Sequence, residues 1–228
     1  MRTTRALAAV VAVGGAAAVA YERRVRPWQE QWGATDEEAA LVLPGDELLA
    51  EPAGQITRAI TIDAPREEVW PWVVQLGADR GGFYTYDWLE DLFGLEIHSA
   101  GEVVEEWQDL EVGDVVAADR ARTGGWVVAA LRPAEALVLQ VADVATARPL
   151  RRDEGLGWEF QWTFALRDAP GGGTRLLVRE RVAFGRRLTR ALMAPVGLVS
   201  FVMTRGMLLG LKRRVEGAHA PPAVSAAA

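Results

Sequence analysis

Few side chains in this sequence are equipped for chemistry, and they are easily named. There are two histidines and no cysteine among 228 residues. His98 is the penultimate residue of the stretch RGGFYTYDWLEDLFGLEIHS, residues 80–99, beside Ser99 and downstream of Glu90. Imidazole is the group best suited to proton transfer near neutral pH, so His98, with Glu90 as partner, is the candidate general base. No nucleophile elbow accompanies it, and a lone histidine at a helix-to-strand junction more often bonds backbone than catalyses. The second histidine, His219, falls in GAHAPPAVSAAA, whose small residues and prolines read as a disordered tail. Thiol catalysis, thiolate-bound zinc or iron and multi-histidine metal sites are therefore excluded, and no metal or cofactor is expected.

The second chemical candidate is a carboxylate in an apolar frame. In TRLLVRERVAF, residues 174–184, the two-residue strand period puts Leu176, Val178, Glu180, Val182 and Phe184 on one face. A buried carboxylate needs a partner or a proton, because leaving it charged and alone is costly. ITRAITI, residues 56–62, offers Arg58 on the face of Ile56, Ile60 and Ile62. A structural Arg58–Glu180 ion pair is the simplest expectation if the two strands adjoin; a ligand head-group anchor or a catalytic acid is the other. LGWEFQWTFAL aligns Trp158, Phe160, Trp162 and Phe164 on one face, either as core or as the lining of a cavity. In the 80–99 stretch, Tyr84, Asp87 and Trp88 lie about one helical turn apart, as do Tyr86 and Glu90. Asp87, Glu90 and Asp91 read as a solvated edge, and GADRGG lacks the spacing of a phosphate loop.

Around these residues the elements follow from periodicity. Residues 1–27 hold an uncharged run, Ala6 to Tyr21, between Arg2 and Arg5 on one side and Arg23, Arg24 and Arg26 on the other. The run is about sixteen residues, short of the roughly twenty that cross a bilayer comfortably. AVA at 18–20 resembles a cleavage site, but the arginines behind it favour an uncleaved membrane anchor whose side is undetermined. Residues 28–54 read as a connector with a short helix, opened by a capping box at Thr35 and Glu38 and stopped by Pro44 and Gly45. From residue 55 a strand, ITRAITI, precedes a helix in APREEVWPWVVQLG with Val69, Trp70, Val73, Val74 and Leu76 as its buried face. A second short helix is expected in YDWLEDLF. Strands follow in EVVEEW, DVVAA, GWVVAAL, ALVLQVA, LGWEFQWTFAL and TRLLVRERVAF, with turns at RPAE and DAPGGG. The long apolar stretch 188–216 is a helix, and Pro195, Arg205 and its glycines make it a gripped helix in preference to a membrane span. Residues 217–228 complete the chain as a tail.

This order gives an α+β fold of the helix-grip kind: a curved antiparallel sheet wrapped around a long C-terminal helix, with two short helices after the first strand. A formal net charge of −6 leaves no basic field for phosphate backbones, so nucleic acid is not an expected partner.

On ITIDAPREEVWPWVVQLGADRGGFYTYDWLEDLFGLEIHSAGEVVEEWQDLEVGDVV and the closing FVMTRGMLLGLKRRVE, the chain resembles the SRPBCC superfamily, the START, polyketide-cyclase and birch-pollen-allergen group, over roughly residues 55–216. The resemblance implies a cavity between sheet and C-terminal helix for lipids, sterols, polyketides and other apolar molecules. It implies no particular activity, since function lives in sites grafted on folds. The expectation is a membrane-tethered carrier of a lipid or polyketide-like molecule, with Gln75, Tyr84, Tyr86, Trp88 and His98 at the cavity mouth and Trp126, Trp158, Trp162 and Glu180 inside. A cyclase or dehydratase using His98 or Glu180 is one alternative. A filled interior, making a membrane-associated interaction module without ligand, is another.

Overall fold

The computed structural model describes residues 19–85, 97–154, 157–189 and 196–219. Its sheet comprises β1 (Gly54–Ile62), β2 (Val115–Ala117), β3 (Gly125–Arg132), β4 (Ala136–Asp143), the two-residue β5 (Arg148–Pro149), β6 (Trp158–Asp168) and β7 (Thr174–Phe184). The strands pair antiparallel in the order β1-β7-β6-β4-β3-β2, with β5 on β4, and the sheet does not close into a barrel. Gly171 and Gly172, both at φ +87°, turn β6 into β7, and the two strands pair from Trp158↔Phe184 to Asp168↔Thr174. First and last strands are neighbours, with Ile56 opposite Glu180 and Arg58 opposite Val178. This is the α+β helix-grip arrangement: a long C-terminal helix, α4 (Val196–His219), lies in the concavity of the sheet.

The helix after β1 is α3 (Arg66–Val74), and its buried face is set by spacing. Val69, Trp72, Val73 and Leu76 are buried, the stripe expected for a helix on a core, while Trp70 sits half-buried on its flank. Trp72, not Trp70, is therefore the inward tryptophan. EVVEEW does not form a strand. A 3-10 turn, Glu105–Trp107, stands there, and Gln75 takes up its backbone: Gln75 Nε2 donates to the Glu102 carbonyl at 3.1 Å and Oε1 accepts from Val104 N at 3.1 Å. A side chain thus satisfies groups that a neighbouring strand would otherwise pair.

Met207, Leu208, Leu211 and Val215 of α4 join Phe164, Leu166, Leu176 and Val178 of the sheet and α3 in one core. Gly210 makes this approach possible, since a Cβ there would lie 1.9 Å from the Tyr84 carbonyl oxygen. The helix runs to His219, past the expected end at Glu216. Lys212 pairs with Glu216 at 2.6 Å, Glu216 accepts from Asp63 N at 2.8 Å, and His219 Nδ1 meets Glu68 at 2.5 Å. Those tertiary contacts order three residues whose composition alone suggests a tail.

The segment before β1 begins on the α4 side, where Gln29 and Trp28 meet Arg58 and Phe201, and from Asp36 on packs against the sheet's convex side. A π-helical turn, Tyr21–Val25, leads into α1 (Arg26–Glu30), then α2 (Asp36–Ala40) and a 3-10 turn, Asp46–Leu49. The capping box forms, Thr35 Oγ1 accepting from Glu38 N at 3.2 Å and Glu38 from Thr35 N at 2.9 Å; α2 ends at Ala40, before Pro44. Leu43 packs with Ala59, Ala165 and Leu177, and three arginines of β7 hold the strap down. Arg175 grips both oxygens of Glu38 at 2.7 Å, Arg179 meets Asp46 at 2.7 Å and the Leu41 carbonyl at 2.7 Å, and Arg181 reaches Asp46 at 3.3 Å. Arg179 is 1% exposed. At the sheet edge Ala59 N donates to the Trp32 carbonyl at 3.1 Å, and Gly33 at φ +75° allows the contact, because a Cβ there would lie 2.1 Å from the Ala59 carbonyl oxygen. An edge strand is covered in this way.

The greater part of the N-terminal apolar run lies outside the described residues. Among the described residues no helix is long and apolar enough to cross a membrane.

Candidate functional site

The inner face of the sheet has two unlike halves. Toward the β6–β7 turn, Phe164, Leu166, Leu176, Val178, Leu137 and Leu139 are all buried beneath α3 and α4. Toward the opposite end, Ile56, Trp158, Phe160, Val182 and Phe184 are only half-buried. They form an apolar, largely aromatic patch, with Phe160 opposite Val182 and Trp158 opposite Phe184.

A buried polar network marks the boundary. Arg58 Nη1 lies 2.7 Å from Glu180 Oε1, so the pair anticipated from the shared face is present. Ser200 donates to Glu180 Oε2 at 2.5 Å and Thr204 to Oε1 at 2.8 Å, while Arg58 Nε donates to the Gln29 carbonyl at 2.9 Å. The Arg58 guanidinium also stands 5.6 Å from the Phe201 ring centroid, and that ring meets Trp28 edge-on at 5.4 Å. Burial pulls the Arg58 guanidinium below its ordinary pKa, and the Glu180 charge works against that pull. Sheet, α4 and α1 are thus pinned at one point. Both oxygens of Glu180 are engaged by protein, which fits a clamp and leaves neither positioned as a catalytic acid.

Beside the clamp is a ring cluster. Trp162, opposite Glu180 on β6, stands 5.4 Å from Trp126, 6.4 Å from Phe83 and 4.8 Å from Phe164, centroid to centroid. Phe83 and Trp126 meet edge-on at 5.9 Å. These rings pack on one another at the centre of the inner face. Trp162 and Trp158 each carry an indole Nε1 that is fully buried and has no acceptor among the described residues.

Of the residues anticipated at a cavity mouth, Gln75 and Tyr84 are buried and His98 is exposed. Gln75 is 0% exposed and holds the 102–108 loop, with Gln108 Nε2 donating to its Oε1 at 3.3 Å. Tyr84 is buried at φ +56°, its hydroxyl donating to the Trp72 carbonyl at 3.0 Å and its backbone N–H donating to Ser99 Oγ at 2.9 Å. Arg214 lies over its ring at 5.2 Å, and burial pushes the phenol well above its usual pKa. Both residues are structural staples. His98 is exposed, and its ring makes no hydrogen bond among the described residues; Glu90, its expected partner, lies outside them. Tyr86, Trp88 and Glu90 lie outside the described residues. Of the residues expected inside, Trp126, Trp158, Trp162 and Glu180 all lie on the concave face.

Reading the sequence missed Ser200 and Thr204. Their spacing on FVMTRGMLLG, preceded by Ser200, was the available signal, since hydroxyls four apart share a helix face that can meet a carboxylate. Phe83 was missed as well, because the loop holding it shows no period. Among the described residues no group of acidic or histidine side chains is arranged to hold a metal ion.

No protein-family model matches the chain, and no curated protein matches it. Solved structures do. The crystal structure of protein MLL2253 from Mesorhizobium loti matches with 16% identity over 70% of this chain and 98% of its own, at a TM-score of 0.40. The solution structure of CalU16 from Micromonospora echinospora matches with 18% identity over 78% and 76%, at 0.42. DynU16, from the dynemicin biosynthetic locus, matches with 15% identity over 73% of this chain and 49% of its own, also at 0.42.

Proposed function

We propose that this protein binds a hydrophobic small molecule, a lipid or polyketide-like compound, at the patch between β6, β7 and the start of α4, and acts as a binding or carrier protein. The observation that carries this reading is the contrast within one sheet face. Aromatic and aliphatic side chains that could have been sealed are left half-buried beside a fully packed core. Apolar sites with few polar groups are the common form of small-molecule pocket. Glu180 and His98, the two acid–base candidates, are respectively engaged by protein and exposed, which favours binding over cyclase-type catalysis.

The reading includes a membrane tether through residues 1–27. Its support is the exposed apolar surface where the chain leaves that segment: Val25 and Trp28 of the first helical turns, and Val196, Leu198 and Val199 of the first turn of α4. Such a surface beside Arg23, Arg24 and Arg26 suits an anionic bilayer interface.

Native mass spectrometry of the full chain, followed by organic extraction, tests the binding reading. The expected result is an apolar adduct near one per chain that disappears in Val182→Trp, which fills the patch. A chain that takes up nothing from a cell-lipid extract, with Val182→Trp indistinguishable from it, would overturn the reading in favour of a filled interaction module.

A further inference from the structure

Three stretches of the chain meet at one end of the grip. α4 reaches β1 through Lys212, which donates to the Thr61 carbonyl at 2.7 Å, and reaches β7 through Thr204 and Ser200 on Glu180. Followed back toward Val196, the helix therefore points the way β7 leaves the sheet at Phe184. The N-terminal helix takes the same direction at the β1 edge. Arg205 lies over the Trp32 ring at 5.1 Å and Phe201 meets Trp28, so the chain followed back toward Val19 approaches the start of α4. Beyond β7, Gly185 N donates to the Gly157 carbonyl at 2.8 Å, and Arg186, Arg187 and Leu188 stand exposed.

This end differs in charge from the rest of the molecule. Residues 19–28, 184–189 and 196–202 hold five arginines and one glutamate, in a chain of net charge −6. The glutamate, Glu22, is taken by Arg26 at 2.9 Å. Arg23, Arg24, Arg186 and Arg187 are exposed and pair with no carboxylate among the described residues. Among them stand Trp28 at 56% exposure, Leu188 at 70% and Leu198 at 49%. Single exposed apolar side chains are ordinary, but large ones set among unpaired arginines match an anionic bilayer interface, where the apolar groups enter and guanidinium meets phosphate.

We infer that the turn Arg186, Arg187 and Leu188 is a lipid-contact site which, with the N-terminal helix and the first turn of α4, seats this end of the domain on an anionic membrane surface. A tether through residues 1–27 alone would leave the domain free to turn. A second contact, made beyond β7, fixes which face meets the lipid and turns Trp158, Phe160 and Phe184 toward it. The inference rests on the membrane reading above and names the docking face; the ligand reading can fail without touching it.

The lack of cysteine makes the test direct, since one introduced cysteine carries one label. Leu188→Cys and Val199→Cys report on the docking face, and Val42→Cys, 82% exposed on the strap behind the sheet, is the control. The full chain, labelled with an environment-sensitive dye, is mixed with phosphatidylcholine vesicles with and without phosphatidylserine. With the anionic vesicles the labels at 188 and 199 should shift to the blue and escape aqueous iodide, and the label at 42 should do neither. Arg186→Gln with Arg187→Gln should raise the lipid needed for half of the shift at 199 by about tenfold. Uptake onto vesicles with the label at 188 still open to iodide would overturn the inference and leave the tether standing. Shielding at 188 that needs no vesicles and grows with protein concentration would overturn it in favour of a second copy of the chain. No uptake at all would overturn it together with the membrane reading, while the adduct experiment decides ligand binding separately.

Discussion

The sealed and the open halves of the concave face are built from the same strands, yet they meet opposite fates. Phe164 and Phe160 are four residues apart on β6 and point the same way; the first is 0% exposed under α3 and α4, the second half-buried beyond the clamp. Strand pattern does not distinguish them. What does is the helix above: α4 packs Met207, Leu208, Leu211 and Val215 into one half, then engages Glu180 through Thr204 and Ser200, and its first turn stands exposed. The halves therefore divide labour, one holding the fold and the other free of that duty. Each prediction below either breaks this division or sharpens it.

The boundary itself should show the largest effect. Glu180→Ala strands the buried Arg58 guanidinium, and loss of one partner of a buried pair costs about 3–5 kcal/mol, read as a lowered urea midpoint of the folded chain. Replacing both partners, Arg58→Met with Glu180→Leu, should recover most of that loss, because no charge is then left unpaired. A double variant as unstable as the single one would show that the clamp does more than pair charges. Next comes the comparison within β6. Phe164→Ala should cost about 3–5 kcal/mol as a core cavity, and Phe160→Ala should cost markedly less while removing the apolar adduct. Equal destabilisation by the two would erase the distinction between the halves.

A smaller effect separates both halves from the strap behind the sheet. Hydrogen bonds from Arg175 hold the Glu38 carboxyl below its ordinary pKa of 4.5. A carboxylate with a depressed folded pKa stabilises the fold above its unfolded pKa, and that contribution is lost as pH falls through the folded value. Stability should therefore drop below about pH 4.5, and Glu38→Gln should flatten that part of the pH profile without changing ligand uptake. The smallest effect on stability belongs to the exposed first turn of α4. Leu198→Asp should leave the urea midpoint within about 0.5 kcal/mol of wild type and weaken flotation of the chain with anionic vesicles. Unchanged flotation would confine any membrane contact to the N-terminal run.

Much of the fold is legible in the chain because strand alternation and turn glycines are local. Six of the strands follow from alternation and punctuation, and the Arg58–Glu180 pair follows from one further step, the adjacency of first and last strands. EVVEEW misled because alternation says where a strand is possible, and only the buried Gln75 says that its backbone is already occupied. Gln75 and Tyr84 were placed at a mouth on residue type alone; their burial depends on loops with no period to read. The outward face of β7 was hidden for the same reason. Arg175, Arg179 and Arg181 look like solvated charges until the strap that covers them is in place.

That strap has a consequence for how the chain acquires its shape. Glu38 and Asp46 are synthesised early, and their arginines come 137 and 133 residues later. Contacts between such distant positions close large loops and tend to slow folding. On the ribosome, Glu38 and Asp46 have no arginine partner until β7 has emerged, so a chain released before Thr174 lacks the whole arginine row. Docking of the strap then reports that the last strand is in register, because a slip of one residue in β7 would turn all three arginines toward the opposite face.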